Sequence, residues 1–339
     1  MSHLQMIWFA LIAALLVLYA ILGGADLGAG VLQLFTPPGR QRNAALKAIG
    51  PFWDGNQVWL VLLGGASFAA FPPVYAAIFS GFYLALILLV LALIFRAVSI
   101  EIPAHQPPEG SERYWDFGLG AGSLLAALLL GVAFGNILRG IPLTQQGDYA
   151  GTFFGLLNPF AVLIGVVNVA MLATHGGVFL QLRTLSDLRD PARKRALWAW
   201  ALYLPLLIAA IIVTARRGHL LVNYAADPVL WIVPGLGVVM VALTGALSIW
   251  RKPRLAVAAS TTGIALVLAS AAIGLYPVLV PALGNPALSL TAANASSSPL
   301  TLKSMLVIAL LGLPLVAVYT TWLHRVFGGE TADAEGAEG

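Results

Sequence analysis

The chain has 339 residues, 60% of them hydrophobic and only 9% charged, with mean hydropathy +0.90 and a formal net charge of +4. Soluble domains carry about 25% charged residues, so a water-facing surface is excluded and the solvent is mostly lipid. The absence of cysteine excludes disulfides, thiolate-held iron–sulfur clusters and cysteine zinc sites; the Lys and Arg residues are spread over loops and are no nucleic-acid signal.

A membrane-spanning helix needs about 20 mostly apolar residues. The pattern predicts an all-α integral membrane protein with nine spans: Gln5–Phe35, Asp54–Phe71, Val74–Ile100, Tyr114–Leu138, Gly155–Leu182, Ala196–Ala215, Pro228–Trp250, Arg254–Val280 and Lys303–Phe327. The first is a true span, because Met1-Ser2-His3 lacks the Lys or Arg of a signal peptide and the apolar run outlasts a signal's core. The second is short and polar at its start. Pro72-Pro73 predicts a tight turn before the third. The segment Pro281–Leu302, rich in Pro, Asn and Ser, reads as an outer loop. Residues 1–327 form one polytopic domain without an internal repeat, and 328–339 read as a disordered acidic cytoplasmic tail.

Positive charge sets the orientation. With the N-terminus outside and the C-terminus inside, the inner face collects Arg40, Arg42, Lys47, Arg96, Arg113, Arg183, Arg189, Arg193, Lys194, Arg195, Arg251, Lys252, Arg254 and Arg325. The outer face keeps only Arg139, Arg216, Arg217 and Lys303.

Ionisable residues inside spans are costly and mark function by default. Asp26 lies in Gly23-Gly24-Ala25-Asp26-Leu27-Gly28, about 30 Å along the first helix and so towards the inner leaflet. Gly24 and Gly28 share a face and allow close helix contact. Asp26 is either a proton-relaying or Arg-paired carboxylate, or a carboxylate that ties helices together. Trp53-Asp54-Gly55-Asn56-Gln57-Val58-Trp59 opens the second span at the same face. Asp54 there is either a helix cap or a functional acid supported by Trp53, Asn56, Gln57 and Trp59. Arg96, Ser99 and Glu101 close the third span. Arg96 either pairs, with Asp26 the candidate, or snorkels to the headgroups. Asp26, Asp54, Arg96, Ser99 and Glu101 thus converge near the inner leaflet from three successive helices, which suits a proton entry: carboxylates removed from water exchange protons near neutral pH.

Of the histidines, only His175 lies well inside a span. A lone intramembrane histidine ties helices more often than it binds haem, so no metal site is expected in this chain. No histidine pair has metal-binding spacing, and the Gly23–Gly30 stretch has no phosphate-loop lysine.

Pro51-Phe52-Trp53-Asp54-Gly55-Asn56-Gln57-Val58-Trp59 and Gly64-Gly65-Ala66-Ser67-Phe68-Ala69-Ala70-Phe71-Pro72 resemble the motif of subunit II of cytochrome bd quinol oxidases. Phe95–Glu101, Gly131–Asn136, Asn158-Pro159-Phe160, Thr174-His175-Gly176 and Asn294–Leu302 fit the same family, from the first span to the last. The resemblance implies two four-helix bundles plus one peripheral helix. It implies a heterodimer with a haem-bearing subunit I that carries two b-type haems, one d-type haem and the quinol site. The complex would oxidise quinol, reduce oxygen to water and draw protons from the cytoplasm. The present chain would bind no haem, would not be catalytic alone, and would hold a proton path starting near Asp54. Some members hold a structural quinone in this subunit, and room for small accessory subunits is left open. The family usually reads Asp-Gly-Phe-Asp-Leu-Gly in the first span; here Gly23 and Ala25 replace the first acid and the aromatic, leaving only Asp26. Two other readings compete. One is a secondary transporter, against which stand the off-centre acids and the lack of paired broken helices. The other is a passive scaffold for a haem subunit.

Overall fold

The computed structural model describes residues 1–37, 39–104, 111–184, 186–216 and 218–327; the expected acidic tail lies outside them. In chain order the helices are α1 (His3–Gln33), α2 (Arg40–Ile49), α3 (Trp53–Ala70), α4 (Pro72–Gly81), α5 (Tyr83–Ala104), α6 (Glu112–Arg139) and α7 (Phe153–Leu156). They continue with α8 (Pro159–Arg183), α9 (Ser186–Ala215), α10 (Val222–Ala226), α11 (Ile232–Ile249), α12 (Pro253–Leu275) and α13 (Pro299–Val326). The strands β1 (Val278–Val280) and β2 (Leu290–Thr291) pair antiparallel between α12 and α13.

Eight of these helices are long and apolar enough to cross a bilayer: α1, α5, α6, α8, α9, α11, α12 and α13. The expected second span, α3, is 18 residues long and opens on Trp53-Asp54-Gly55-Asn56-Gln57, which lowers its hydropathy. The expected third span is two helices rather than one. It breaks at Phe82, where Tyr149 presses against Gly81 and stacks edge-on with Phe82, so the crossing helix starts at Tyr83 and not at Val74. The fifth span starts at Pro159, after the separate turn of α7; the side chain of Asn158 caps it by accepting from the Ala161 amide at 3.0 Å. The sixth begins ten residues early, at Ser186. The eighth stops at Leu275, because Val278–Val280 leaves the helix to join β2.

α8 is central, with 67% of its apolar window buried, whereas α13 has 6% of its window buried and leans chiefly on α3 and α1. α1 packs on α3, α6, α8 and α12; α5 packs on α6; α9, α11 and α12 close around α8 and each other. The tightest crossing joins α1 to α8. A methyl group on Gly28 would stand 1.7 Å from the Leu172 carbonyl oxygen, and one on Gly176 would stand 2.2 Å from the Ala29 nitrogen. The expectation of close contact at Gly24 and Gly28 therefore holds, with backbone meeting backbone at Gly28.

Hydrogen bonds define the two ends of this bundle. At one end, Gln5 Nε2 donates to Ser296 Oγ (2.8 Å), Ser297 caps α3 through Ala69 and Ala70, and the Ile141 amide donates to the Pro281 carbonyl. The expected outer loop is therefore built structure. At the other end the cations gather. Arg42 pairs with Asp116 and donates to the Thr36 carbonyl (2.9 Å), closing the C-terminus of α1. Arg195 donates to Gln41 (3.0 Å), Arg193 and Arg251 share Asp190, and Arg183 lies over the Phe52 ring and donates to the Phe327 carbonyl.

Candidate functional site

The site lies where α1, α3 and α5 meet, near the cation-bearing end. Asp26 is seven residues before the end of α1, about 10 Å in, and is 0% exposed. Helix α3 runs antiparallel beside it and turns Asn56 inward. The amide nitrogen Nδ2 of Asn56 donates to Asp26 Oδ2 at 2.7 Å and to the Leu22 carbonyl at 3.1 Å. Arg96 of α5 is also buried, at 1% exposed. Its neighbour Gly122 of α6 has no side chain, which lets α6 sit against the Arg96 backbone. The Trp53 ring faces the guanidinium at 6.0 Å, a cation–π distance.

The expected Asp26–Arg96 ion pair is not among the ion pairs of the described residues. The bonded partner of Asp26 is Asn56, because α3 lies directly against α1 while Arg96 approaches from α5. Around them stand buried polar atoms with no hydrogen-bond partner among the described residues: Asp26 Oδ1, Asn56 Oδ1, Arg96 Nε and Nη2, Tyr19 Oη and Trp59 Nε1. Buried atoms of this kind are commonly met by ordered water. The arrangement places a buried carboxyl and a buried guanidinium near one end of the bundle, with unbonded polar atoms beside them.

The other expected residues fall around this centre. Trp59 is buried and Gln57 half-buried. Asp54 is exposed on the first turn of α3, where a carboxylate complements the helix N-terminus. Only Gly55 separates it from Asn56, so Asp26 and Asp54 share one end of the bundle. Ser99 is buried, but its hydroxyl donates to its own helix at the Phe95 carbonyl (2.7 Å) and faces Gly118 of α6. Glu101 is exposed at the end of α5. Thus Asp26 is bonded to Asn56, Arg96 is buried against the Trp53 ring, Asp54 and Glu101 are exposed, and Ser99 faces α6. Sequence reasoning missed Tyr19 and Ser123. Tyr19 stands seven residues before Asp26 on the same face of α1, a spacing that was there to read; the Ser123 hydroxyl, against Gly30, depends on the packing of α6.

His175 ties three helices. Its Nε2 meets the Ile21 carbonyl of α1 at 3.0 Å, and its Nδ1 meets Ser260 Oγ of α12 at 2.9 Å. A carbonyl only accepts, so Nε2 carries a proton and Nδ1 of the neutral ring accepts from the Ser260 hydroxyl. Both nitrogens are used. Among the described residues no group of three or more His, Cys, Asp or Glu could hold a metal. His175→Leu is expected to cost about 1–3 kcal/mol of stability and to leave every haem band of the purified complex in its optical spectrum; loss of one haem would overturn this assignment.

An apolar cavity of about 240 Å³ lies between α1, α3, α6, α8, α9 and α12, walled by Tyr19, Leu27, Leu60, Phe134, Met171 and Leu207.

Comparison with known proteins adds the following. Residues 4–327 match the family described as cytochrome bd terminal oxidase subunit II. The chain is 36% identical over 368 residues to the cytochrome bd-I ubiquinol oxidase subunit 2 of Escherichia coli, covering 97% of this chain and 96% of that one. It is 32% identical to the cytochrome bd ubiquinol oxidase subunit 2 of Bacillus subtilis, covering 96% of each. In fold it is similar to a chain of the bd oxidase from Geobacillus thermodenitrificans, with a TM-score of 0.79 and 18% identity over 96% of this chain and 99% of that one.

Proposed function

Because the chain belongs to the cytochrome bd terminal oxidase subunit II family, we propose that it is the haem-free partner of a haem-bearing subunit I and helps deliver cytoplasmic protons for the reduction of oxygen to water. Family membership makes it part of a membrane oxidoreductase complex. The finer role rests on the chain's own residues. The observation that carries it is the buried Asp26 held by Asn56, which stands two positions along α3 from the exposed Asp54, with Arg96 buried at the same end of the bundle. In this reading Asp54 takes protons from water at the rim, Asp26 exchanges them inside, Asn56 fixes the carboxylate, and Arg96 balances its charge. Glu101 adds negative potential at the entrance.

The nine-span arrangement is part of the proposal, with α3 as the ninth span. Its support is packing: α3 lies along α1 and against α13, and α13 stands at the edge of the bundle. The orientation in the inner membrane, N-terminus out and C-terminus in, is supported by the cations gathered at the end that holds Asp26. The two b-type haems and the d-type haem, with their quinol and oxygen chemistry, are assigned to subunit I on the family resemblance, and His175 here serves as a tie to Ile21 and Ser260. The wall of the 240 Å³ cavity suits an isoprenoid chain, in line with the structural quinone that some members hold.

Asp54→Asn is the direct test. In the oxidase purified with its partner, oxygen consumption with quinol should fall about tenfold, equivalent to about 1.4 kcal/mol in the barrier, with haem content unchanged. Normal turnover would leave a scaffold role as the better account.

A further inference from the structure

Helix α13 stands at the edge of the bundle and is buried at Leu302, Thr320 and Leu323, near its two ends. At its first turn the Trp8 indole of α1 donates to the Leu302 carbonyl at 3.0 Å. At its last turns it meets the start of α3. The His324 ring stacks on the Phe52 ring, with centroids 4.5 Å apart and planes 30° from parallel. A Cβ on Gly55 would stand 3.5 Å from Leu323 and 3.7 Å from Tyr319, so the first turn of α3 lies directly against α13. Phe52 is 1% exposed. Its ring is also met from α8, by the Phe179 ring edge-on at 6.3 Å and by the Arg183 guanidinium at 5.1 Å. Arg183 in turn donates to the Phe327 carbonyl at the end of α13.

Two hydrogen bonds, both made by Asn56, join Phe52 to the buried carboxylate. The Phe52 carbonyl accepts from the Asn56 backbone N–H at 3.0 Å, and the Asn56 side chain donates to Asp26 Oδ2 at 2.7 Å. A shift of the Phe52 ring therefore moves the end of α3 that sets the Asn56 amide against Asp26. The local sequence does not hold that end. Phe52 caps α3 without a side-chain hydrogen bond, at a position where Ser, Thr, Asp or Asn would ordinarily secure the helix start. The ring stack supplies what the cap lacks. The imidazole is itself oriented: His324 Nδ1 lies 2.9 Å from the Thr320 carbonyl one turn back. A carbonyl only accepts, so Nδ1 carries a proton, and this bond holds the ring plane over Phe52.

We propose that His324 is a positioning residue for the proton-delivering site: its ring clasps Phe52 from α13, opposite the hold of α8, and so fixes the Asn56 amide on Asp26. This role rests on the proton-delivery reading above. No proton passes through His324; the ring acts by its face, and the peripheral helix carries it. Its removal leaves the bundle assembled, because α13 keeps its contacts at Leu302 and Leu323, but it frees the N-terminus of α3.

The test uses the oxidase purified with its haem-bearing partner. A misplacement of 1 Å in a positioned group can cost about 100-fold, so a loosened one in His324→Ala should lower quinol-driven oxygen consumption per haem about tenfold, with haem content unchanged. His324→Gln, polar and of similar reach but without a ring, should be as slow. His324→Phe restores the stack without an ionisable group and should return turnover to near the parental rate. In an Asp26→Asn background His324→Ala should slow turnover no further, because the carboxylate it positions is gone. A slow His324→Phe would overturn the proposal by making the imidazole's chemistry, and not its face, the working element. Haem loss in His324→Ala would overturn it by showing a general packing role, and slowing that multiplies with that of Asp26→Asn would place His324 on a separate route. Parental turnover in His324→Ala, with Asp26→Asn slow, would remove the clasp and leave the delivery reading intact; parental turnover in Asp26→Asn would sink the two together.

Discussion

Replacing Gly28 with alanine is expected to abolish recovery of the haem-containing complex. The added methyl would lie 1.7 Å from the Leu172 carbonyl oxygen, 2.4 Å from its carbon and 3.0 Å from the Gly176 nitrogen. All three are backbone atoms of α8, so no side-chain rotation relieves the clash. The two helices must separate along their whole crossing. Overpacking a core typically costs about 1–3 kcal/mol; a backbone-to-backbone clash at the central helix should exceed the upper figure. In a bilayer, where helices associate through close packing rather than exclusion from water, little else offsets the loss. Gly176→Ala should behave alike, its methyl falling 2.2 Å from the Ala29 nitrogen. Gly312→Ala on α13, where nothing lies within 4 Å, is the control and should leave yield and melting temperature unchanged. Assembly of Gly28→Ala at wild-type level would show that the α1–α8 crossing is looser than described.

The second large effect concerns the buried charges. Asp26→Ala removes both the acceptor for Asn56 Nδ2 and the charge that faces Arg96, whereas Asp26→Asn keeps an oxygen that can accept at the same place. Loss of the bond from Asn56, with its buried amide left unpaired, costs about 1–3 kcal/mol, and Arg96 loses its nearest opposite charge. Both variants should therefore lose stability, and Asp26→Ala should recover less haem than Asp26→Asn. Equal recovery would mean that the bond to Asn56 contributes nothing. The double variant Asp26→Asn/Arg96→Met removes both charges and should restore assembly beyond either single change. Its oxygen consumption should stay about 100-fold below the parent, the scale on which a positioned acid–base group acts. A double variant that assembles and also turns over normally would make the cluster a purely structural tie. The double change matters because either single variant, losing both fold and rate, could not separate the two roles.

The family motifs owe their form largely to packing. Asn158 caps α8 and reaches Asn136 Oδ1 at 2.9 Å, and Asn136 donates to the Leu156 carbonyl at 2.8 Å, which ties the C-terminal end of α6 to the N-terminal end of α8. Ser297 and Ser298 cap the ends of α3 and α13. Against that background Asn56 stands out, because its amide serves a buried carboxylate rather than only a helix end.

Composition and hydrophobic run length were enough to place this chain in lipid, because charge is so costly there that it marks where helices end. The same cost made Asp26 and Arg96 visible as exceptions, and the grouping of cations gave a common end to alternate loops. The contacts among those exceptions were beyond the sequence. Whether Asp26 meets Arg96 or Asn56 depends on which neighbour lies nearest and how it is rotated, and that is set by backbone contacts such as Gly28 against Leu172. Periodicity gave no warning of the break at Phe82, where Tyr149 of a remote loop presses in, whereas the exit into β1 was signalled locally by Pro277 after Tyr276. Tyr19 shows the division most clearly: its spacing from Asp26 was written in the chain, but only the folded helix shows the ring lying in the space that Gly23 leaves open.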